Sequence, residues 1–151
     1  MTDVVALLEA IPDPELPFVT IKDLGILRGH FLYSPVARVQ ITPTYSGCPA
    51  LDTIREDVEE LLRANGFTDI EVETVLSPPW TSDWLTERGR AALADKGVAA
   101  PVFVGLPARR PACPLCGSAD TEELSRFGAT ACKALWRCRA CREPFEQFKQ
   151  H

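Results

Sequence analysis

Histidine is nearly missing from this 151-residue chain, which carries only His30 and His151. A nucleophilic thiol ordinarily needs an imidazole base, so a thiol enzyme would lack its usual partner here, and no catalytic residue is assigned. The sequence also has no Glu-x-x-His pair, no Gly-x-x-x-x-Gly-Lys-Ser/Thr loop and no Gly-x-Gly-x-x-Gly turn. Those absences exclude a bundled di-iron site, nucleotide hydrolysis on a P-loop and a dinucleotide or flavin fingerprint. No apolar run reaches the length of a membrane span, and Met1-Thr2-Asp3-Val4-Val5 has neither a basic start nor a continuous apolar stretch. The expectation is no membrane span, no signal peptide and a cytoplasmic location. No internal repeat is evident.

Cysteine is what the chain has in number, with six residues. In a reducing compartment, paired Cys-x-x-Cys spacings point to metal rather than disulfides. Charge is divided unevenly: residues 1–100 hold 8 Lys+Arg against 16 Asp+Glu, a net of −8, while residues 101–151 hold 8 against 5, a net of +3. That break predicts two domains. The expected division is an α+β domain over 1–97, a Pro-rich linker over 98–112 and a cysteine-bearing domain over 113–151.

The first domain centres on Pro43-Thr44-Tyr45-Ser46-Gly47-Cys48-Pro49. Before it, Val36 to Thr42 is β-branched and alternates apolar with polar, as a half-buried strand does. After it, Leu51, Ile54, Val58, Leu61 and Leu62 share one face of a helix that Gly66 ends. Proline favours the first helical position, which puts Cys48 at about the N-cap, where free amides favour a thiolate. Thiolate is the form that binds metal or attacks. The plainer reading is an inert buried cysteine.

Around this stretch, Val4, Val5, Leu7, Leu8 and Ile11 form a short helical face, stopped by Pro12-Asp13-Pro14-Glu15-Leu16-Pro17. Asp13 and Glu15 read as metal ligands or as turn and cap residues. Ile26 to Tyr33 is a strand that Ser34-Pro35 turns back into the strand before Cys48, making an antiparallel hairpin with His30 inside it. Asp69 to Leu76 is a third strand with an acidic outer face. Ser82 caps a second helix from Asp83 to Lys96. The expected architecture is a small antiparallel or mixed sheet covered by helices. Val102-Phe103-Val104 in the linker has the composition of an edge strand.

Cys113-Pro114-Leu115-Cys116 and Cys138-Arg139-Ala140-Cys141 are two knuckles separated by 21 residues. Four thiolates suit tetrahedral Zn²⁺ in a zinc ribbon, and an iron–sulfur centre is the competing identity. Four protein ligands leave no coordination position open for catalysis, so the zinc is expected to be structural. Cys132 reads as a spare buried thiol or an alternative ligand, the former preferred because the paired knuckles already complete a tetrahedron. Lys133, Arg137, Arg139 and Arg142 surround the second knuckle, with Trp136 among them. They fit an acidic partner or offset the thiolate charge, and nucleic acid is the minority reading because residues 1–100 are acidic.

Asp13-Pro14-Glu15, Leu24-Gly25 and Thr44-Tyr45-Ser46-Gly47-Cys48-Pro49 resemble the motifs of the metal–sulfur cluster assembly domain of SufT-like proteins. The run Phe127 to Cys138, followed by Glu143-Pro144-Phe145, resembles the PaaD (PaaJ) family of the phenylacetyl-CoA epoxidase system. The resemblance spans essentially the whole chain, with Trp136 standing where tyrosine is expected. It implies an accessory role in aerobic phenylacetate degradation, with other components of the oxygenase as partners and a homodimer as one way to pair thiols. Cys48 matches the family's reactive cysteine and Asp13 its acidic loop, implying transient iron or an iron–sulfur cluster at these residues. Docking would fall to Arg137, Arg139, Arg142 and Trp136. The alternative is a stoichiometric docking subunit without metal transfer.

Overall fold

In the computed structural model, which describes residues 3–44, 49–99, 110–129 and 133–148, the chain divides into two compact units, Met1–Trp80 and Thr81–His151. In the first unit, Asp3 Oδ1 accepts the amides of Val5 (3.0 Å) and Ala6 (3.3 Å) and so opens helix α1, Val4–Glu9. The proline-rich loop then folds back, bridging Pro12 to Thr20. Thr20 and Asp23 cap each other's amides reciprocally at 3.1 and 3.3 Å, and Gly25 takes the left-handed φ of 71° that ends the turn. Trp80 Nε1 donates to Leu24 O at 2.7 Å, which fixes the exit of this loop.

Strands β1, Leu27–Tyr33, and β2, Val36–Ile41, form the expected antiparallel hairpin, with a register shift between Leu27 and Gly29. Helix α2, Ala50–Ala64, crosses over to β3, Asp69–Thr74, which pairs with β2 in parallel, so the sheet of order β1-β2-β3 is mixed. The helix buries Ala50, Ile54, Val58 and Leu62. These join Leu8, Ile21, Leu24, Val39 and Ile41 in the core. Arg55, placed by the helical period on the polar face, reaches back instead. Its Nη1 donates to Val72 O and its Nη2 to Thr74 Oγ1, tying α2 to β3. The outer face of β3 is acidic as expected, with Asp69 and Glu71 both paired to Arg38 at 3.0 and 2.9 Å. Such exposed pairs contribute only about 0–1 kcal/mol each.

The second unit begins with a 3₁₀ turn, Ser82–Trp84, followed by helix α3, Glu87–Asp95. The continuous helix expected from Asp83 to Lys96 is therefore broken. Leu85 is extended and buried, and Thr86 rather than Ser82 is the cap, its Oγ1 accepting the Gly89 amide at 3.0 Å. Burial of the Leu85 side chain outweighs continuity of the helix. A second sheet has the order β4-β7-β6-β5, from β4 (Val98–Ala99), β5 (Thr121–Ser125), β6 (Lys133–Cys138) and β7 (Pro144–Phe148). Strand β4 runs parallel to β7 and the other pairs are antiparallel. Val98–Ala99, at the head of the Pro-rich run, is thus part of this sheet, whereas Val102-Phe103-Val104 lies outside the described residues. No helix among the described residues is long and apolar enough to cross a membrane.

Candidate metal centre

Two tight turns bring the four paired cysteines together. Cys113 N donates to Ser118 O at 2.9 Å, and Cys138 N donates to Glu143 O at 3.0 Å, so each knuckle closes over the same number of residues. Four residues after each first cysteine the backbone turns left-handed, at Gly117 with φ 79° and at Arg142 with φ 66°. Amides then point at sulphur: Leu115 N lies 3.4 Å from Cys113 Sγ, and Cys141 N lies 3.5 Å from Cys138 Sγ.

The result is a cluster in which the Sγ atoms of Cys113, Cys116, Cys138 and Cys141 all lie within 4.8 Å of one another. All four are free thiols. The Cys113–Cys141 and Cys116–Cys138 separations are 3.8 and 3.6 Å. A tetrahedron with zinc–sulphur bonds of about 2.3 Å has edges of about 3.8 Å, so the donor set and spacing fit a four-thiolate zinc ion. The thiols are electrostatically unequal. The Cys141 amide, ahead of other contacts, brings the Cys138 thiol down to about 7. Cys141 is pushed up to about 12 despite the Glu143 amide, by burial and by the Cys138, Cys116 and Cys113 sulphurs around it. Four neighbouring thiols cannot all ionise without a cation among them.

Cys113 and Cys138 are buried with Ala99 and Phe145, and Trp136 packs against this cluster. The Trp136 Nε1 atom is buried and meets no acceptor among the described residues, a cost of about 1–3 kcal/mol that indole packing must offset. Of the basic residues expected around the second knuckle, Lys133 is turned elsewhere. It is buried and pairs with Glu146 at 3.3 Å, while the other Glu146 oxygen accepts the Ala129 amide at 2.8 Å. A Cβ at Gly128 would meet that carboxylate, so a larger residue there would have to displace the Glu146 side chain from the clamp. In the linear sequence this clamp leaves no trace beyond an isolated Gly and a distant Glu. Arg137 and Arg139 both hold Glu122 on β5, and in that order they pull its carboxyl below the usual range. Arg139 also faces Asp120 at 3.7 Å. Arg142 is exposed and engages no carboxylate among the described residues.

In the first unit, Asp13 is 5% exposed, and its Oδ1 accepts the amides of Glu15 and Leu16, each at 2.8 Å. Burial raises its pKa against the opposing effect of those amides. Oδ2 makes no hydrogen bond among the described residues. Asp13→Ala is expected to cost about 1–3 kcal/mol, because two amides lose their acceptor. Asp13→Asn should be near neutral at pH 7, since it keeps the acceptor and removes the buried charge. A folded pKa above the unfolded one means that Asp13 stabilises most at low pH and less as pH rises through its raised value. Urea titrations of both variants at pH 4 and 7 test this. Cys48 and Cys132 lie outside the described residues. What is placed is the frame of Cys48: buried Thr44 beyond the end of β2, and Pro49 at the N-cap of α2 with helical angles (φ −69°, ψ −23°). The helix therefore starts one residue later than expected, at Ala50.

Residues 1–74 match a family described as iron–sulfur cluster assembly protein, and residues 99–149 match the PaaD zinc beta ribbon domain. Over 147 residues the chain is 45% identical to a putative 1,2-phenylacetyl-CoA epoxidase component of Escherichia coli (strain K12), covering 95% of this chain and 89% of that protein. The chain belongs to the PaaD family. The N-terminal part of this PaaD-family chain is also 35% identical over 83 residues to the Fe-S protein maturation auxiliary factor SufT of Staphylococcus aureus (strain USA300), covering 54% of this chain and 93% of that one. Among solved structures, a domain of unknown function, DUF59, from Bacillus anthracis is similar with a TM-score of 0.54 and 34% identity, over 60% of this chain and 87% of that domain. Both halves of the PaaD-family chain, read separately from motifs, thus have their counterparts.

Proposed function

We propose that this chain is an accessory component of a phenylacetyl-CoA 1,2-epoxidase system that helps to load an iron or iron–sulfur centre into the oxygenase or reductase component. The observation that carries the reading is the joint presence, in one chain, of an iron–sulfur assembly domain over 1–74 and a ribbon over 99–149 whose four sulphurs have the spacing of a zinc tetrahedron. The division of labour follows from ligand number. Four thiolates around zinc leave no open position, so the ribbon is structural and offers a docking surface. Cys48 has no paired cysteine in its own stretch, and a single thiolate is a weak permanent ligand, which suits a cargo that must leave.

In this mechanism Cys48 holds the cargo as thiolate, favoured by the amides at the start of α2. Asp13, with Oδ2 uncommitted, supplies a second donor, and a second copy of the chain could supply a second thiolate. The four free ribbon thiols suit a reducing cytoplasm. The chain itself performs no oxygenation.

The test is reconstitution of purified, iron-free oxygenase and reductase components with ferrous iron and sulfide in the presence of wild-type or Cys48→Ser chain. Wild type should raise the iron bound by a component and Cys48→Ser should not. A second reading, favoured by the relative's name as part of an epoxidase, is a stoichiometric docking component. Equal loading by both chains, with co-purification at a fixed ratio, would select it and remove the transfer role.

A further inference from the structure

The two knuckles are closed by equivalent backbone hydrogen bonds, Cys113 N to Ser118 O and Cys138 N to Glu143 O, but differ in the residue at the left-handed position. Gly117 and Arg142 occupy equivalent left-handed turns, with φ of 79° and 66°. Glycine adopts this conformation without steric cost, whereas a residue with a Cβ does not. Arg142 is the only non-glycine with positive φ among the described residues. An arginine held where glycine would relax the backbone calls for a use of its side chain.

Its surroundings narrow that use. A hollow of about 320 Å³ is lined by Arg137, Cys138, Arg139 and Arg142. Arg137 and Arg139 are turned toward Glu122, which leaves them half-exposed but engaged. Arg142 donates to no carboxylate and to none of the four cysteine sulphurs among the described residues. Any effect of its charge on the thiolates acts through space and leaves its hydrogen-bond donors uncommitted. What remains is an exposed planar fork at the mouth of a basic hollow, the geometry that takes a carboxylate through two parallel hydrogen bonds.

We infer that Arg142 is the anchor through which the ribbon docks a partner protein, receiving an Asp or Glu side chain into the hollow beside Arg137 and Arg139. This rests on the accessory-component reading and adds to it the residue and the partner's chemistry. Arg137 and Arg139, already held by Glu122, set the positive rim. Arg142 supplies the charge that is free to pair, and its removal relaxes the turn.

The test uses the full zinc-loaded chain and the purified oxygenase and reductase components, comparing wild type with Arg142→Gly and Arg142→Lys. Arg142→Gly should keep its zinc and melt no lower than wild type, yet bind the recipient component about tenfold more weakly or worse, as loss of one partner of a buried charged pair does. Arg142→Lys should fall between, keeping the charge but not the fork. Unchanged binding by Arg142→Gly overturns the inference while leaving the accessory reading intact. Loss of zinc or of folding in Arg142→Gly also overturns it, because the side chain would then serve the ribbon itself. Wild type that binds neither component removes the accessory reading, and the anchor with it. Retention of wild type by an oligonucleotide at low salt, lost in Arg142→Gly and without binding to either component, would assign the hollow to phosphate and overturn the carboxylate.

Discussion

Cys138→Ser is expected to unfold the second unit, Thr81–His151, and to leave the first unit folded. Cys138 is fully buried, and its sulphur sits 3.6 Å from that of Cys116 within the four-thiolate cluster. The apolar support around it is thin: Ala99, Cys113, Phe145 and part of Trp136. Burying one large apolar side chain contributes about 1.5–3 kcal/mol. Ordering each residue of backbone costs about 1–2 kcal/mol, so these side chains, even with Leu85, Leu93, Val98 and Phe148 elsewhere in the unit, fall short of holding its strands without the ion. A structural zinc ion contributes about 10–16 kcal/mol in small domains, which exceeds or equals the whole stability of most proteins. Losing one of four ligands, and leaving a hydroxyl in a sulphur cluster, removes most of that.

Hydrogen exchange resolves the two units separately. Amides of β5, β6 and β7 should lose protection in Cys138→Ser, or in wild type with a chelator, while those of β1, β2 and α2 keep it. The effect should deepen with acid. Metal binding releases thiol protons, so protons compete with the ion as pH falls, and the zinc-dependent stability declines most steeply once Cys138, the thiol held lowest, is protonated as well. Protection of β5 to β7 that is indifferent to chelator at every pH would mean that the ribbon stands without metal.

The second large effect is expected in the partner rather than in the chain. With Cys48→Ser, iron delivered to the recipient component should drop to the level reached with no accessory chain. Serine preserves the size of the side chain but stays protonated at neutral pH, so it removes the thiolate ligand and little else. Stability should barely change, because the helix that follows is held by its own buried side chains, Ile54, Val58 and Leu62. Zinc content should also be equal, since the ribbon cysteines belong to the other unit. A melt and a zinc assay beside the iron assay separate loss of transfer from loss of fold.

Much of this arrangement was legible because the physics is local. The β1–β2 hairpin follows from alternation, α2 from its apolar period, and the metal centre from two short Cys-x-x-Cys turns. Where sequence reasoning fell short, the cause was non-local. Nothing in the alternation of β3 states that it pairs with β2 in parallel, since either direction buries the same side chains. The break at Leu85 depends on what Leu85 packs into, not on helix propensity. Proximity in sequence groups Lys133 with the arginines, and alternation even puts it on the face of Arg137, yet its place at the opposite end of β6 pairs it with Glu146 in β7. Arg55 lies on the polar side of α2 by period, but its length lets it reach Val72 and Thr74. The strain at Arg142 is invisible to composition, because it appears only when the two knuckles are compared in backbone conformation.

The sharpest measurement is the metal content and absorption spectrum of the chain purified without oxygen, wild type and Cys48→Ser side by side. Expected is about one zinc per chain in both, held by the four ribbon thiolates, with iron and sulfide, and a visible thiolate-to-iron band, in wild type alone. Zinc in both with iron in neither, under conditions where iron and sulfide are supplied, would contradict the transfer role of Cys48.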